Sequence, residues 1–210
     1  MTGPAAAHPG ATTPIPRADI TGIVLAGGQG RRMGGVDKGL VALDGKPLAQ
    51  HVIARFAPQV GTLIVNANQN AQRYAAFGYP VVADAVGGFA GPLAGLQAGM
   101  MRARGTYVAT APCDSPFLPA DLVSRLAAAL VAGNAQLAVA RTFDQPHPVF
   151  ALVRCDTLLH LTAFLEGGGR KIDLWYATLG VVEARFDDEA DAFRNINTRE
   201  ELRGNATPAT

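Results

Sequence analysis

The chain has 210 residues, 49% of them apolar, and a formal net charge of +1. That length suits one α/β domain with a sizeable core, and the balanced charge gives no reason to expect nucleic-acid binding or a polybasic membrane patch. The two cysteines, Cys113 and Cys155, form no C-x-x-C and fit a reducing cytosol, and no apolar run approaches the ~20 residues of a membrane helix.

Residues 1–17, rich in Ala, Pro, Thr and Gly, lack the basic start and apolar run of a signal peptide and read as a disordered leader. The domain is expected over 18–204, with a loose tail at 205–210. Ile23-Val24-Leu25 reads as a buried strand. Past a glycine-rich stretch, Val41–Leu43 and an Asp44-Gly45 turn lead to a helix with Pro47 at its first position. Leu48, Val52, Ile53 and Phe56 share one face of that helix. Strands follow at 63–65, ending at Asn66, and at 81–83, ending at Asp84, with a short helix at 71–77 between them. A helix runs from Pro92 through Met101. A fourth strand, 107–111, ends in Pro112-Cys113-Asp114-Ser115-Pro116. Leu122, Leu126 and Leu130 mark a helix at 121–132. Further strands are expected at 137–139, 149–153 and 181–186, with helices at 156–165 and 172–178. Asn195-Ile196-Asn197 precedes a final helix that Thr198 and Glu201 would cap. This alternation implies a mostly parallel, doubly wound sheet, in which ligands bind outside the carboxyl ends of the strands. The loop glycines, Asn66, Asp84 and Asp114 all follow predicted strand ends, so four separate regions converge on one edge.

The stretch GIVLAGGQGRRMGGVDKGL, Gly22 to Leu40, carries the strongest signal. Gly27, Gly28 and Gly30 follow the first strand and let backbone amides approach a ligand closely. Arg31, Arg32 and Lys38 surround the same turn with cations, an arrangement suited to a polyphosphate. It is not a Walker A loop, because Lys38 is followed by Gly39 rather than a hydroxyl residue. A dinucleotide loop fits poorly: Gly28-x-Gly30-x-x ends on Met33, and no carboxylate stands beside the end of the second strand. Lys38 and Arg32 are candidates for the phosphates, Arg32 through a guanidinium that can hold two oxygens at once. Arg31 reads as a surface residue and Asp37 as an ion-pair partner.

Other candidates have plainer readings beside the functional ones. Asp114 can supply one carboxylate to a magnesium ion, which fills its other positions with phosphate oxygens and water, or it can cap a turn. Asp84 is a nucleotide-site carboxylate or a turn residue. Asn66 reads a base or ribose through its amide, or closes a turn. Arg170 and Lys171 follow three glycines and either grip an anion at a helix start or form a solvated cap. Cys113 has no base near it in sequence and reads as packing. His147 reads as structural or close to a second substrate, and His51 as partly exposed.

Leu25, Gly27, Gly28, Arg32, Met33, Gly34 and Lys38 resemble the L-x-G-G-x-x-x-R-M-G-x-x-K signature of nucleotidyltransferases, with one extra residue before the lysine. LAGGQGRRMGGVDKGL is similar, more narrowly, to the molybdenum cofactor guanylyltransferases, the MobA family, over roughly 21–203. The resemblance implies an α/β, single-domain fold of the Rossmann-like nucleotide-diphospho-sugar transferase type. It implies transfer of GMP from Mg-GTP to the phosphate of molybdopterin, with release of pyrophosphate. It assigns the Leu25-Ala26-Gly27 backbone to base and ribose, Asp84 to the nucleotide, and Asp114 to the metal. Asn195 and Asn197 match a late N-x-N motif on the pterin side, where Arg170 and Lys171 are further candidates. Gly27, where cytidylyltransferase relatives tend to carry Ala, favours guanine. Molybdenum-insertion proteins and acceptor molybdoenzymes are the implied partners. The alternatives are a cytidylyltransferase for the same cofactor, a sugar-phosphate nucleotidyltransferase, or a non-catalytic nucleotide-binding subunit.

Overall fold

A computed structural model describes residues 14–26, 37–85 and 91–196. Gly27, Gly28, Gly30, Arg31, Arg32, Met33 and Gly34 lie outside the described residues, as do Gly87, Gly88, Asn197, the expected final helix and the tail.

Seven strands form one sheet in the order β5-β4-β1-β6-β8-β7-β9. They are β1 (Ile20–Leu25), β4 (Thr62–Asn66), β5 (Val81–Val82), β6 (Tyr107–Pro112), β7 (Leu137–Thr142), β8 (Gln145–Arg154) and β9 (Val181–Arg185). All neighbours are parallel except β8, which runs antiparallel to both β6 and β7. The expected doubly wound, mostly parallel sheet is therefore present, with one reversed strand that the alternation of elements does not reveal. A separate small hairpin pairs β2 (Ala42–Leu43) with β3 (Lys46–Pro47) across the Asp44-Gly45 turn.

Helices cover both faces: α1 (Leu48–Phe56), α2 (Ala71–Ala75) and α4 (Leu122–Ala132) on one, α3 (Pro92–Met100), α5 (Leu158–Glu166) and α6 (Ile172–Tyr176) on the other. β1 shows why the sequence does this. Its side chains alternate with period two, so that Ile20 and Val24 enter the core with Phe56 and Leu126, while Ile23 enters the one with Leu93, Leu161 and Trp175. Each large apolar side chain so buried contributes about 1.5–3 kcal/mol. The expected face of α1, Leu48, Val52, Ile53 and Phe56, is buried throughout. Pro47, expected inside that helix, is instead its extended N-cap residue with ψ 141°, because it closes the β2–β3 hairpin.

Of the residues expected in the leader, 14–17 are described, and two of them make fold contacts. Ile15 packs against the larger core and Arg17 Nη1 donates to the Pro58 carbonyl at 2.7 Å. The fold thus takes in chain before residue 18, because a lone isoleucine finds apolar surface to cover.

Candidate active site

The parallel strands end together. Leu25 pairs in register with Asn66 on one side and with Pro112 on the other, and Asn66 pairs with Val82. The residues just past these ends therefore share one edge, as expected from their positions. Two carboxylates stand there, Asp84 after β5 and Asp114 after β6.

Asp84 is held by neutral amides. Asn66 Nδ2 donates to its Oδ1 at 2.9 Å and Asn68 Nδ2 to its Oδ2 at 2.8 Å, while the Asp84 backbone N–H donates to Asn68 Oδ1 at 2.8 Å. Asn66, only 2% exposed, also bonds the Val82 carbonyl through Nδ2 at 3.3 Å. Its amide nitrogen is thus engaged with the protein, and its placement is that of an Asp84 holder. Helix α3 presses onto this spot because residue 95 is glycine: a Cβ there would come within 2.3 Å of Asn66 Oδ1. Asn68 escaped the sequence reading, although a second Asn two positions after the strand-ending one was its available signal.

Asp114 faces a cation. Lys38 Nζ lies 3.5 Å from its Oδ2, a loose pair whose side chains are 26% and 14% exposed. Burial pushes the Asp114 carboxyl above its ordinary value, and the Lys38 ammonium opposes that rise. Lys38 opens a 3₁₀ turn, Lys38–Leu40. Asp37 just before it accepts hydrogen bonds from the Tyr74 hydroxyl at 2.5 Å and Asn70 Nδ2 at 3.0 Å. These are neutral donors on α2 and its approach; Arg31 and Arg32, the cations expected beside Asp37, lie outside the described residues. Cys113 is buried and burial pushes its thiol well up, which fits the packing reading.

The late asparagine reaches the same place. Ser115 Oγ donates to Asn195 Oδ1 at 2.5 Å, and the Ile196 N–H donates to the Asp114 carbonyl at 2.9 Å. A cavity of about 860 Å³ opens beside this contact, lined by Pro112, Thr142, His147, Phe193, Arg194 and Asn195 among others. His147 stacks on Phe193 at 4.6 Å, and its Nε2 is 2.7 Å from Thr142 Oγ1. Burial lowers its pKa, which favours the neutral ring. Arg194 lies 4.5 Å over the Phe117 ring. Nothing in its local sequence distinguished it.

Arg170 and Lys171 do not join Asn195. Arg170 Nη1 donates to the carbonyls of Leu165 and Gly169, at 2.7 and 2.6 Å, closing the end of α5. Lys171 is exposed at the start of α6. Their loop lies near the start of α3, where a Cβ on Gly91 would stand 3.8 Å from the Arg170 carbonyl. At the end of β1, the Leu25 carbonyl accepts from the Cys113 N–H and the Ala26 N–H donates to the Asn66 carbonyl, at 3.1 and 2.8 Å. Those two backbone groups extend the sheet. His51 is half-buried, with Nε2 2.8 Å from the Leu43 carbonyl.

A mostly parallel sheet with helices on both faces and carboxylates and a lysine at its carboxyl edge defines a nucleotidyltransferase of the nucleotide-diphospho-sugar transferase fold. The family model of the MobA-like NTP transferase domain matches residues 22–178. A Cupriavidus taiwanensis protein named molybdenum cofactor guanylyltransferase is 53% identical over 194 residues, covering 90% of this chain and 97% of the relative. One of the same name from Bordetella petrii is 50% identical, covering 90% and 97%. The solved structure of molybdopterin-guanine dinucleotide biosynthesis protein A from Archaeoglobus fulgidus superposes with a TM-score of 0.71 at 25% identity, covering 88% of this chain and 95% of that one. A Methanothermobacter nucleotidyl transferase, 18% identical with a TM-score of 0.65, shares the fold. The chain belongs to the MobA-like family, among the molybdenum cofactor guanylyltransferases.

Proposed function

We propose that this chain transfers GMP from GTP to the terminal phosphate of molybdopterin, forming the guanine dinucleotide cofactor and releasing pyrophosphate. The observation that carries the reading is the meeting of Lys38, Asp114 and Asn195 at one strand edge, beside a cavity large enough for the acceptor. In this reading an oxygen of the acceptor phosphate attacks the α-phosphorus of GTP, and the bond from that phosphorus to the pyrophosphate oxygen breaks. The attacking oxygen is already anionic and needs no general base. Catalysis then consists of positioning and charge neutralisation.

Lys38 and Arg32 would neutralise the triphosphate. Asp84, oriented by Asn66 and Asn68, would face the nucleoside together with the chain from Ala26 and Gly27 onward. The acceptor would occupy the 860 Å³ cavity, meeting Asn195, Asn197 and the Arg194 guanidinium. Arg170 and Lys171 would serve from the α3 side of the site. A magnesium ion suits Asp114. The carboxylate is partly buried at the phosphate edge, and such an ion needs only one or two protein carboxylates when substrate phosphates and water complete its shell. When bound, it supplies positive charge against the triphosphate. Among the described residues no helix is long and apolar enough to cross a membrane. Both cysteines are free, which suits the cytoplasm, where we place the reaction. Delivery to molybdenum-insertion proteins and acceptor molybdoenzymes belongs to the same reading.

The test is turnover with GTP, CTP and ATP, each with molybdopterin and magnesium, and the product identified by mass. A site that pairs one base edge leaves buried groups unpaired with the wrong base, so GTP should exceed CTP and ATP by at least ~10²-fold in kcat/KM. Comparable CTP turnover would overturn guanine alone. No dinucleotide from any nucleotide would overturn the transfer.

A further inference from the structure

One buried hydroxyl touches the catalytic turn without contacting any reacting group. Tyr74 on α2 is 0% exposed, with its ring edge-on to Phe77 at 5.9 Å. Its hydroxyl reaches across to Asp37 Oδ1 at 2.5 Å, and Asn70 Nδ2 takes Oδ2 at 3.0 Å. Both carboxylate oxygens of Asp37 are therefore gripped from one side by neutral donors. Asn70 can offer its side chain this way because it stands in the left-handed region, φ 53°, at the entry to α2, a conformation asparagine tolerates better than most residues.

The grip acts on the residue that precedes Lys38. The turn it anchors is tight, with the Leu40 N–H on the Asp37 carbonyl and the Val41 N–H on the Lys38 carbonyl, at 3.1 and 3.0 Å. Gly39 rests directly on the same hydroxyl: a Cβ there would stand 2.4 Å from the Tyr74 oxygen and 3.1 Å from Cys113 Sγ. Any larger residue at 39 would push the turn away from α2 and from the end of β6. Burial holds the Tyr74 pKa far above its ordinary value, so the hydroxyl stays a donor at any working pH. A lysine side chain carries several rotatable bonds, and fixing its backbone on two sides removes part of the freedom that must be lost when it engages a phosphate.

We infer that Tyr74, with Asn70 beside it, is a positioning residue for nucleotidyl transfer, clamping Asp37 so that Lys38 is aimed at the triphosphate and Asp114. The inference rests on the reading of Lys38 as a triphosphate ligand. Tyr74→Phe keeps the buried ring and deletes only the hydroxyl. It should weaken GTP binding and lower kcat, each by about tenfold, while the affinity for GMP, which lacks the β- and γ-phosphates, and the KM for the acceptor stay unchanged. In a Lys38→Ala background the same substitution should have no further effect on GTP affinity, because the clamp acts through the lysine. A hydroxyl that merely stabilised the fold would lower the melting temperature and leave these quantities at wild-type values. That result, or an equal loss in both backgrounds, would overturn the inference. Should Tyr74→Phe fail to fold, Asp37→Ala on the half-buried turn reads the same clamp. Its GTP affinity and kcat should fall together with GMP binding retained, and wild-type values would overturn the inference as well. Calorimetry with GTP and GMP needs no acceptor. A wild-type protein that binds GTP no more tightly than GMP would refute the triphosphate reading of Lys38, whereas a wild type that prefers GTP beside an indifferent Tyr74→Phe would refute the clamp.

Discussion

Two aspartates stand at the same sheet edge and are held by opposite means. Asp84 accepts from two asparagine amides and donates its own backbone N–H to one of them. Asp114 has the Lys38 ammonium 3.5 Å away. Neutral donors fix a carboxylate's orientation and leave its full charge in place, which suits a group that reads a fixed partner such as a nucleoside. A loose ion pair offers charge compensation that can be exchanged, since the lysine can turn to a phosphate while the carboxylate turns to a metal ion. On the proposed function one end of the edge would recognise and the other would neutralise, and substitutions should separate the two in KM and kcat.

The largest effect is expected at the neutralising end. Asp114→Ala should lower kcat by on the order of 10²-fold or more at saturating GTP and magnesium, since it removes the carboxylate proposed to hold the metal ion. Near wild-type turnover under those conditions would assign the metal elsewhere. Lys38→Ala comes next. A hydrogen bond to a charged group contributes ~1.5–3 kcal/mol, so GTP binding should weaken about tenfold or more while GMP binding hardly changes. Equal losses for both nucleotides in calorimetry would move Lys38 away from the β- and γ-phosphates.

The recognising end was partly legible in the sequence, and the limits are physical. Short β-branched and apolar runs stopped by Asn66, Asp84 and Asp114 mark strand ends directly, and the structure puts all three at the shared edge. What pairs with what was not legible, because periodicity carries no information about contacts 76 or 80 residues apart, such as Lys38 with Asp114 or Ser115 with Asn195. The first half of β8 was hidden for a different reason. Pro146 and Pro148 cannot donate to a ladder and argue against a central strand. They are accommodated because residues 145–147 pair with β7, whereas β6 pairs only with 151–154. That half of the strand has a free side, and the cavity opens against it. The turn into β8 also lacks the usual glycine signal: Phe143 itself takes φ 46°, an uncommon conformation for an aromatic residue. His147, read from the sequence as structural or close to a second substrate, is delivered by the reversed strand to the cavity wall.

The smallest predicted effect tests the recognising end most directly. Asn68 is the Asp84 partner that can be removed with least damage, since Asn66 is buried against α3 and Asn68 is only half-buried. Asn68→Ala deletes two hydrogen bonds and leaves Asp84 Oδ1 on Asn66. At about 0.5–1 kcal/mol of net stability each, the loss is roughly 1–2 kcal/mol, which for a domain of this size lowers Tm by about 2–8 °C. The functional consequence should be distinct in kind from that of Asp114→Ala. A carboxylate free to rotate binds its nucleoside less well but does not alter the charge at the α-phosphorus. KM for GTP should accordingly rise several-fold with kcat unchanged, and the preference for GTP over CTP should narrow. Asn68→Asp, which sets a like charge against Asp84, should move KM further in the same direction. If either substitution instead lowered kcat at saturating GTP, Asp84 would share the work of Asp114, and the division of the edge into a recognising and a neutralising end would fail.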